Sequence, residues 1–176
     1  MRRAALLLAL ALGACSSPPP AVARTAAADS LTPWLDAART EVQASLDQMV
    51  DARRRHDVEA AMALRAPDAT MVRDDGTVLD RAQLDELLRA SDRRVLDIGP
   101  ESRVVIERIE SWSPPRPWTS DEEAVLVVRT SQRFVRTVMD EGSGLPHQLD
   151  TTTPHRETWR RTPGGWLQVE VVELAE

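Results

Sequence analysis

The sequence predicts an α+β domain in which three N-terminal helices pack on one face of an antiparallel sheet of four to six strands. Two observations carry that expectation. Apolar residues recur at steps of three and four as far as about residue 90, and beyond it the period falls to two. Composition is the third: 42% hydrophobic and 28% charged residues can bury a core, and 176 residues suit a single domain.

Thr32-Pro33 is a good helix start, with threonine as N-cap and proline in the first turn. Leu35, Ala38, Val42, Leu46 and Met49 then form one apolar stripe on a helix reaching about Arg55. Asp57 can cap a second, shorter helix through Val58, Ala61, Met62 and Leu64, ended before Pro67. Residues 70–72 read as a short strand and Asp74-Asp75-Gly76 as a tight turn. Asp80 with Gln83 makes a capping box that opens a third helix, with Leu84, Leu87 and Leu88 facing inward.

Strands are expected over residues 94–98, 103–112, 123–140, 155–161 and 166–173. The third of these is long enough to need a bend or bulge. Pro114-Pro115-Arg116-Pro117 and Gly142-Ser143-Gly144 mark loops, and Thr162-Pro163-Gly164-Gly165 marks the last hairpin turn. No internal repeat is visible.

Ahead of the domain stands Met1-Arg2-Arg3, followed by an apolar run over residues 4–12. A bilayer span needs about 20 apolar residues, so this run is too short to cross one and matches a secretory signal. Leu12-Gly13-Ala14-Cys15 follows and resembles the lipobox of bacterial lipoproteins. That resemblance implies cleavage after residue 14, a diacylglyceryl group on Cys15 and often a further acyl chain on its amine. Two or more chains anchor a protein stably, at about 0.8 kcal/mol per buried methylene. Ser16 after the cysteine is the outer-membrane signal of enteric bacteria, so the expected place is the periplasmic side of that membrane. Residues 15–31 are rich in Ser, Pro and Ala and read as an extended tether of roughly 45–50 Å, leaving 32–176 as the folded domain.

Formal net charge is −6, every basic side chain being arginine. Loss of Arg2 and Arg3 with the leader would leave 20 basic against 28 acidic residues, a net −8. An acidic chain repels phosphate backbones, which argues against nucleic acid as a partner. Arg53-Arg54-Arg55, the one dense basic run, reads as a solvated helix end. Cys15 is the only cysteine, so intrachain disulfides and cysteine metal sites are excluded. His56, His147 and His155 lack metal-ligand spacing, and no cofactor fingerprint is present; no metal and no cofactor are expected.

Two segments resemble a known family. Asp57-Val58-Glu59-Ala60, Leu64, Pro67-Asp68-Ala69-Thr70, Gly76 and Leu79-Asp80-Arg81 are similar to the start of nuclear transport factor 2-like (SnoaL-like) domains. Arg156-Glu157-Thr158-Trp159-Arg160-Arg161 with Gly164-Gly165-Trp166-Leu167 resembles their last hairpin, and the likeness covers roughly residues 35–174. It implies a cone, with a strongly curved sheet wrapped around the first helix, a pocket at the open end and homodimers formed through the sheets. The family includes isomerases, dehydratases, cyclases and hydrolases as well as non-catalytic binding and assembly domains, so fold does not give function. The chain has no tyrosine, hence no phenolic oxyanion donor like that of the steroid isomerases.

Candidate chemistry is thin. His155, Glu157 and Trp159 alternate onto one strand face, so a histidine and a carboxylate could form an acid–base pair in the cone; exposed cross-strand residues explain the same spacing. Glu170 shares a face with Gln168 and Val172 and is either a pocket carboxylate or a solvent or dimer-seam residue. Gln132 is a pocket wall or a bulge residue, and Trp159 and Gln168 are pocket candidates with it. Asp68 has a local turn or cap role, with catalysis the alternative. Trp34, Trp112, Trp159 and Trp166 fill core or rim, and Trp118 is placed to cover the cone mouth.

These observations favour a non-catalytic envelope lipoprotein whose cone binds a small apolar ligand or a partner chain. The alternatives are an acid–base enzyme using His155, Glu157, Glu170 and Asp68, and a dimeric assembly module with a filled pocket. The anchor is tested directly: Cys15→Ser should move the chain from the membrane to the soluble envelope fraction on fractionation, and a variant that still sediments with membranes would refute lipidation.

Overall fold

The computed structural model describes residues 23–119, 122–140 and 142–175, with side chains from Pro33 onward. The expected signal segment, Cys15 as the expected lipidation site and the first part of the expected tether lie outside the described residues.

Helix α1 (Ala23–Arg54) begins nine residues before the expected start, and Pro33 lies inside it rather than in its first turn. Ala26-Ala27-Ala28 are the best of helix formers, and their propensity extends the helix through the second half of the expected tether. Ala38, Val42, Leu46 and Val50 form its buried stripe, flanked by the half-buried Leu35 and Met49. Helix α2 (Val58–Ala63) is capped by Asp57, whose side chain accepts from the Ala60 N–H at 2.9 Å. Strands β1 (Arg65–Val72) and β2 (Val78–Asp80) form a hairpin around the Asp74-Asp75-Gly76 turn, where Gly76 takes φ +81. Asp80 and Gln83 close a reciprocal capping box on α3 (Arg81–Asp92). Leu84 of α3 is buried, but Leu87 is 44% exposed rather than core.

Four more strands complete the sheet, together with β3 (Val95–Ile98): β4 (Arg103–Ser113), β5 (Val125–Met139), β6 (Pro146–Thr162) and β7 (Gly165–Glu173). The sheet is curved, mixed and seven-stranded, in the order β2-β1-β7-β6-β5-β3, with β4 also on β5. The expectation of a purely antiparallel sheet of four to six strands is therefore corrected on two counts. β1 runs parallel to β7, a pairing between chain ends that no hairpin signal announces. β2 adds an edge that the sequence shows only as a cap.

β6 is also far longer than the expected 155–161. Its first half, with Pro146, His147, Asp150 and Pro154, reads as loop, yet it pairs with β5 through residue 146. β7 reaches only as far as His155 on its other side, so this half is nearly an edge strand where proline and exposed polar residues fit. The irregularity expected inside the long strand falls elsewhere. β5 stays in register with β6 throughout, and the extra residues sit in its other neighbours, at Leu96 of β3 and at Glu107 and Glu110 of β4.

The sheet wraps α1. Its buried stripe meets Val104, Ile106, Leu126, Val128, Trp159 and Trp166, each such side chain contributing roughly 1.5–3 kcal/mol when fully buried. α1 also covers the free edge of β4: Gln43 Nε2 donates to the Val104 carbonyl at 2.7 Å while its Oε1 accepts from the Ile106 N–H at 3.1 Å. Arg39 donates to the Ile106 carbonyl at 2.7 Å. Toward the start of α1, Trp34, Trp118 and Trp166 stack edge to face, Trp118 and Trp166 with centroids 5.8 Å apart. Trp118 therefore seals the closed end of the fold and does not cover a mouth.

Candidate functional site

A cavity of about 350 Å³ lies at the other end, against the last turns of α1. Its apolar wall includes Met49, Leu84, Leu88, Val104, Phe134 and Val171, and the exposed Leu87 stands on its rim. Polar groups reach it from four strands: Arg65 on β1, Gln132 and Arg136 on β5, His155 on β6, and Gln168 and Glu173 on β7.

Behind this wall Glu157 is fully buried. Period-two alternation on β6 turns His155, Glu157 and Trp159 inward together, as their spacing predicts, and all three are buried. Four donors converge on the Glu157 carboxylate. Thr130 Oγ1 donates to Oε1 at 2.7 Å and Gln132 Nε2 donates to the same oxygen at 3.1 Å. Gln168 Nε2 donates to Oε2 at 2.6 Å and the Trp159 indole N–H at 3.1 Å. Two oxygens meeting four donors is the pattern of an acceptor-only carboxylate engaged by its own fold.

His155 is placed differently. Its Nδ1 lies 3.2 Å from the Thr153 carbonyl oxygen, which can only accept, so the neutral ring carries its proton on Nδ1 and leaves Nε2 as an acceptor. Nε2 is 4.0 Å from Glu173 Oε1, the outer edge of ion-pair range. Burial pushes the imidazole below its ordinary pKa, and the opposing pull of Glu157, Glu173 and the Thr153 carbonyl does not offset it.

The remaining expected residues separate. Gln132 and Gln168 line the cavity, whereas Trp159 lies in the core and touches the site only through its N–H on Glu157. Glu170 does not reach the cavity. A register shift in β7 adds Val169 between the partners of Thr158 and Trp159, so Gln168 and Val171 face inward and Glu170 is left half-exposed near Thr158. Simple alternation had put Glu170 on the face of Gln168, and the bulge reverses it. Asp68 is also outside the cone. It is exposed in the bulged part of β1, ion-paired with Arg160 Nη1 at 3.2 Å, which replaces the turn or cap role expected of it. It borders a separate open groove with Asp80, Arg81 and Asp85. His56 is exposed, 2.9 Å from Asp92, and His147 is exposed on β6 rather than in a loop.

The site also contains arginines that the sequence did not single out. Arg53, expected on a solvated helix end, is half-buried on the cavity wall with Arg65 and Arg136. Burial lowers the Arg65 guanidinium to about 10, with Arg53 and Arg81 acting in the same direction against Glu157. No local pattern marks Arg65, which follows Leu64 in a stretch that reads as a helix end. Among the described residues, no group of three or more His, Cys, Asp or Glu side chains comes together to hold a metal.

No protein-family model matches the chain, and no curated protein matches its sequence. Solved structures do. A candidate scytalone dehydratase from Novosphingobium aromaticivorans superposes with a TM-score of 0.64 at 11% identity, over 81% of this chain and 86% of its own. A candidate dehydratase of the nuclear transport factor 2-like family from Streptomyces avermitilis gives 0.58 at 16% identity, over 78% and 95%. A nuclear transport factor 2-like protein from Cytophaga hutchinsonii gives 0.54 at 17%, over 78% and 98%. At these identities the likeness establishes the fold, which is nuclear transport factor 2-like.

Two outcomes follow from the buried site. Glu157→Gln turns an amide N–H₂ toward at least two of the four donors and should lower unfolding free energy by roughly 2–6 kcal/mol in urea titrations; an unchanged midpoint would remove Glu157 from its structural role. Burial makes His155 harder to protonate in the fold than in the unfolded chain, where it titrates near its ordinary value, so its contribution is intact above about pH 6.5. Below that value the unfolded state binds the extra proton, and stability should fall by at most about 1.4 kcal/mol per pH unit. His155→Gln should flatten that slope in denaturation curves taken between pH 7 and 5, and an identical slope would contradict the assignment.

Proposed function

We propose that the chain is a cell-envelope lipoprotein whose cavity binds a small, largely apolar molecule without converting it. The cavity carries this reading: about 350 Å³ falls within the range of small-molecule sites, and the surface of its walls is mostly apolar. The carboxylate that the sequence pairs with His155 for acid–base work, Glu157, has both oxygens engaged by Thr130, Gln132, Trp159 and Gln168. A proton acceptor must reach the substrate proton, and Glu157 faces internal donors instead. An open cavity also speaks against an assembly module with a filled cone. The proposed anchor rests on the charged start, the short apolar run and Leu12-Gly13-Ala14-Cys15.

One observation favours a second reading. His155 presents Nε2 as an acceptor in the same cavity, and a neutral imidazole there could act as a base toward a bound substrate. The two candidate dehydratases share the fold, though fold alone transfers no activity.

Native mass spectrometry of the full chain separates these readings. A bound small molecule should be retained on the wild-type protein and lost from Leu88→Trp, which fills the cavity from α3, with the thermal unfolding midpoint of the variant showing that it folds. Retention by the filled variant would place the ligand elsewhere. A compound recovered unchanged after prolonged incubation supports binding; one altered by the wild type but not by His155→Gln supports the enzyme.

A further inference from the structure

The cavity holds more positive charge than an apolar site needs. Arg53 comes from the last turn of α1, Arg65 from the start of β1 and Arg136 from the second half of β5. Glu173 is the one carboxylate among the described residues that line it, so the wall reverses the sign of a chain with net charge −6.

The donors on these arginines are unmatched. Arg53 Nε, Arg65 Nε and Nη1 and Arg136 Nε are shut off from solvent with no hydrogen-bond partner. Among the described residues, Gln168 Oε1 is the one buried unpartnered acceptor on the same wall. Arg136 Nη2 reaches Thr151 Oγ1 at 3.3 Å, and among the described residues none of the three guanidiniums has a carboxylate within ion-pair distance. Asp92 faces Arg53 and Glu157 faces Arg65 only at longer range, while Arg53 and Arg136 repel each other. Buried N–H groups without partners are rare in folded proteins, and several of them on three guanidiniums beside one cavity point to an acceptor that these side chains turn to meet. Guanidinium groups in a desolvated site select oxyanions above other acceptors.

We propose that the cavity binds an amphipathic anion, a small ionised carboxylic acid whose carboxylate accepts from Arg65 with Arg53 or Arg136 while its apolar body lies against Met49, Leu84, Leu88 and Phe134. This rests on the reading of the cavity as a ligand site and names the class of ligand. Arg53 is repelled by both Arg136 and Arg65, and a carboxylate bound among them offsets that repulsion.

Titration calorimetry on the full chain with octanoate, 1-octanol and acetate tests the inference. Octanoate should bind roughly ten- to a hundredfold more tightly than 1-octanol, the range expected for charge-assisted hydrogen bonds. Acetate should bind at least tenfold more weakly than octanoate, since it lacks the apolar body. Arg65→Met should bring octanoate down to the affinity of 1-octanol and leave 1-octanol unchanged. Arg136→Gln should reduce the preference about tenfold if Arg65→Met fails to fold. Equal affinity for octanoate and 1-octanol would overturn the anion and leave the apolar binding site standing. Equal affinity for acetate and octanoate would overturn the amphipathic ligand. No binding of any of the three would overturn both the anion and the ligand site.

Discussion

The inner face of the sheet is organised around one buried carboxylate. Glu157 lies on β6 between β5 and β7, and its four donors come from all three strands. A buried carboxylate is tolerated only where its lone pairs are satisfied, so its presence constrains the rotamers of Thr130, Gln132, Trp159 and Gln168 together. Those constraints shape the cavity floor. Gln132 and Gln168 expose one flank to the cavity while their amide groups point back to Glu157, and Gln168 is left with an unpartnered oxygen as a result. The bulge in β7 belongs to the same arrangement, because it brings Gln168 and Val171 both to the inner face.

α1 divides the interior of the sheet into two ends. Toward its start, Trp34, Trp118 and Trp166 close the fold, with the Trp166 N–H donating to Glu41 at 2.7 Å. Toward its end the helix offers Met49, Val50 and Arg53, and the opposite wall withdraws far enough to leave the cavity. Gln43 and Arg39, lying between the two, satisfy backbone groups of β4 that no strand covers. A helix that substitutes for a strand at a sheet edge fixes its own height above the sheet, and thereby where packing stops and open space begins.

Much of the framework was legible from local patterns. The stripe Ala38, Val42, Leu46, the caps at Asp57 and Asp80, and the alternation through His155, Glu157 and Trp159 each depend on neighbours within a few residues, and each is found as expected. What failed depended on distant partners or on interrupted periodicity. The first half of β6 carries turn-forming residues and is a strand because β5 pairs with it. β1 is parallel to β7 because of where the chain returns, ninety-odd residues later. Glu170 leaves the face that simple alternation gives it with Gln168, because one bulge residue, Val169, inverts an alternation that is otherwise regular; of its two expected places, the one outside the pocket is found.

By itself the sequence determined the class of fold, the stripe that α1 buries and the face that β6 turns inward, since helix and strand periods act over a few residues and need no tertiary information. It also placed Cys15 in a lipobox-like setting, a pattern read from adjacent residues. Only the tertiary structure decided that Arg53, Arg65 and Arg136, spread over 84 positions of the chain, would meet on one wall. Their assembly depends on strand pairing and on the length of α1, and charge at a single position carries no record of which other charges will be folded against it.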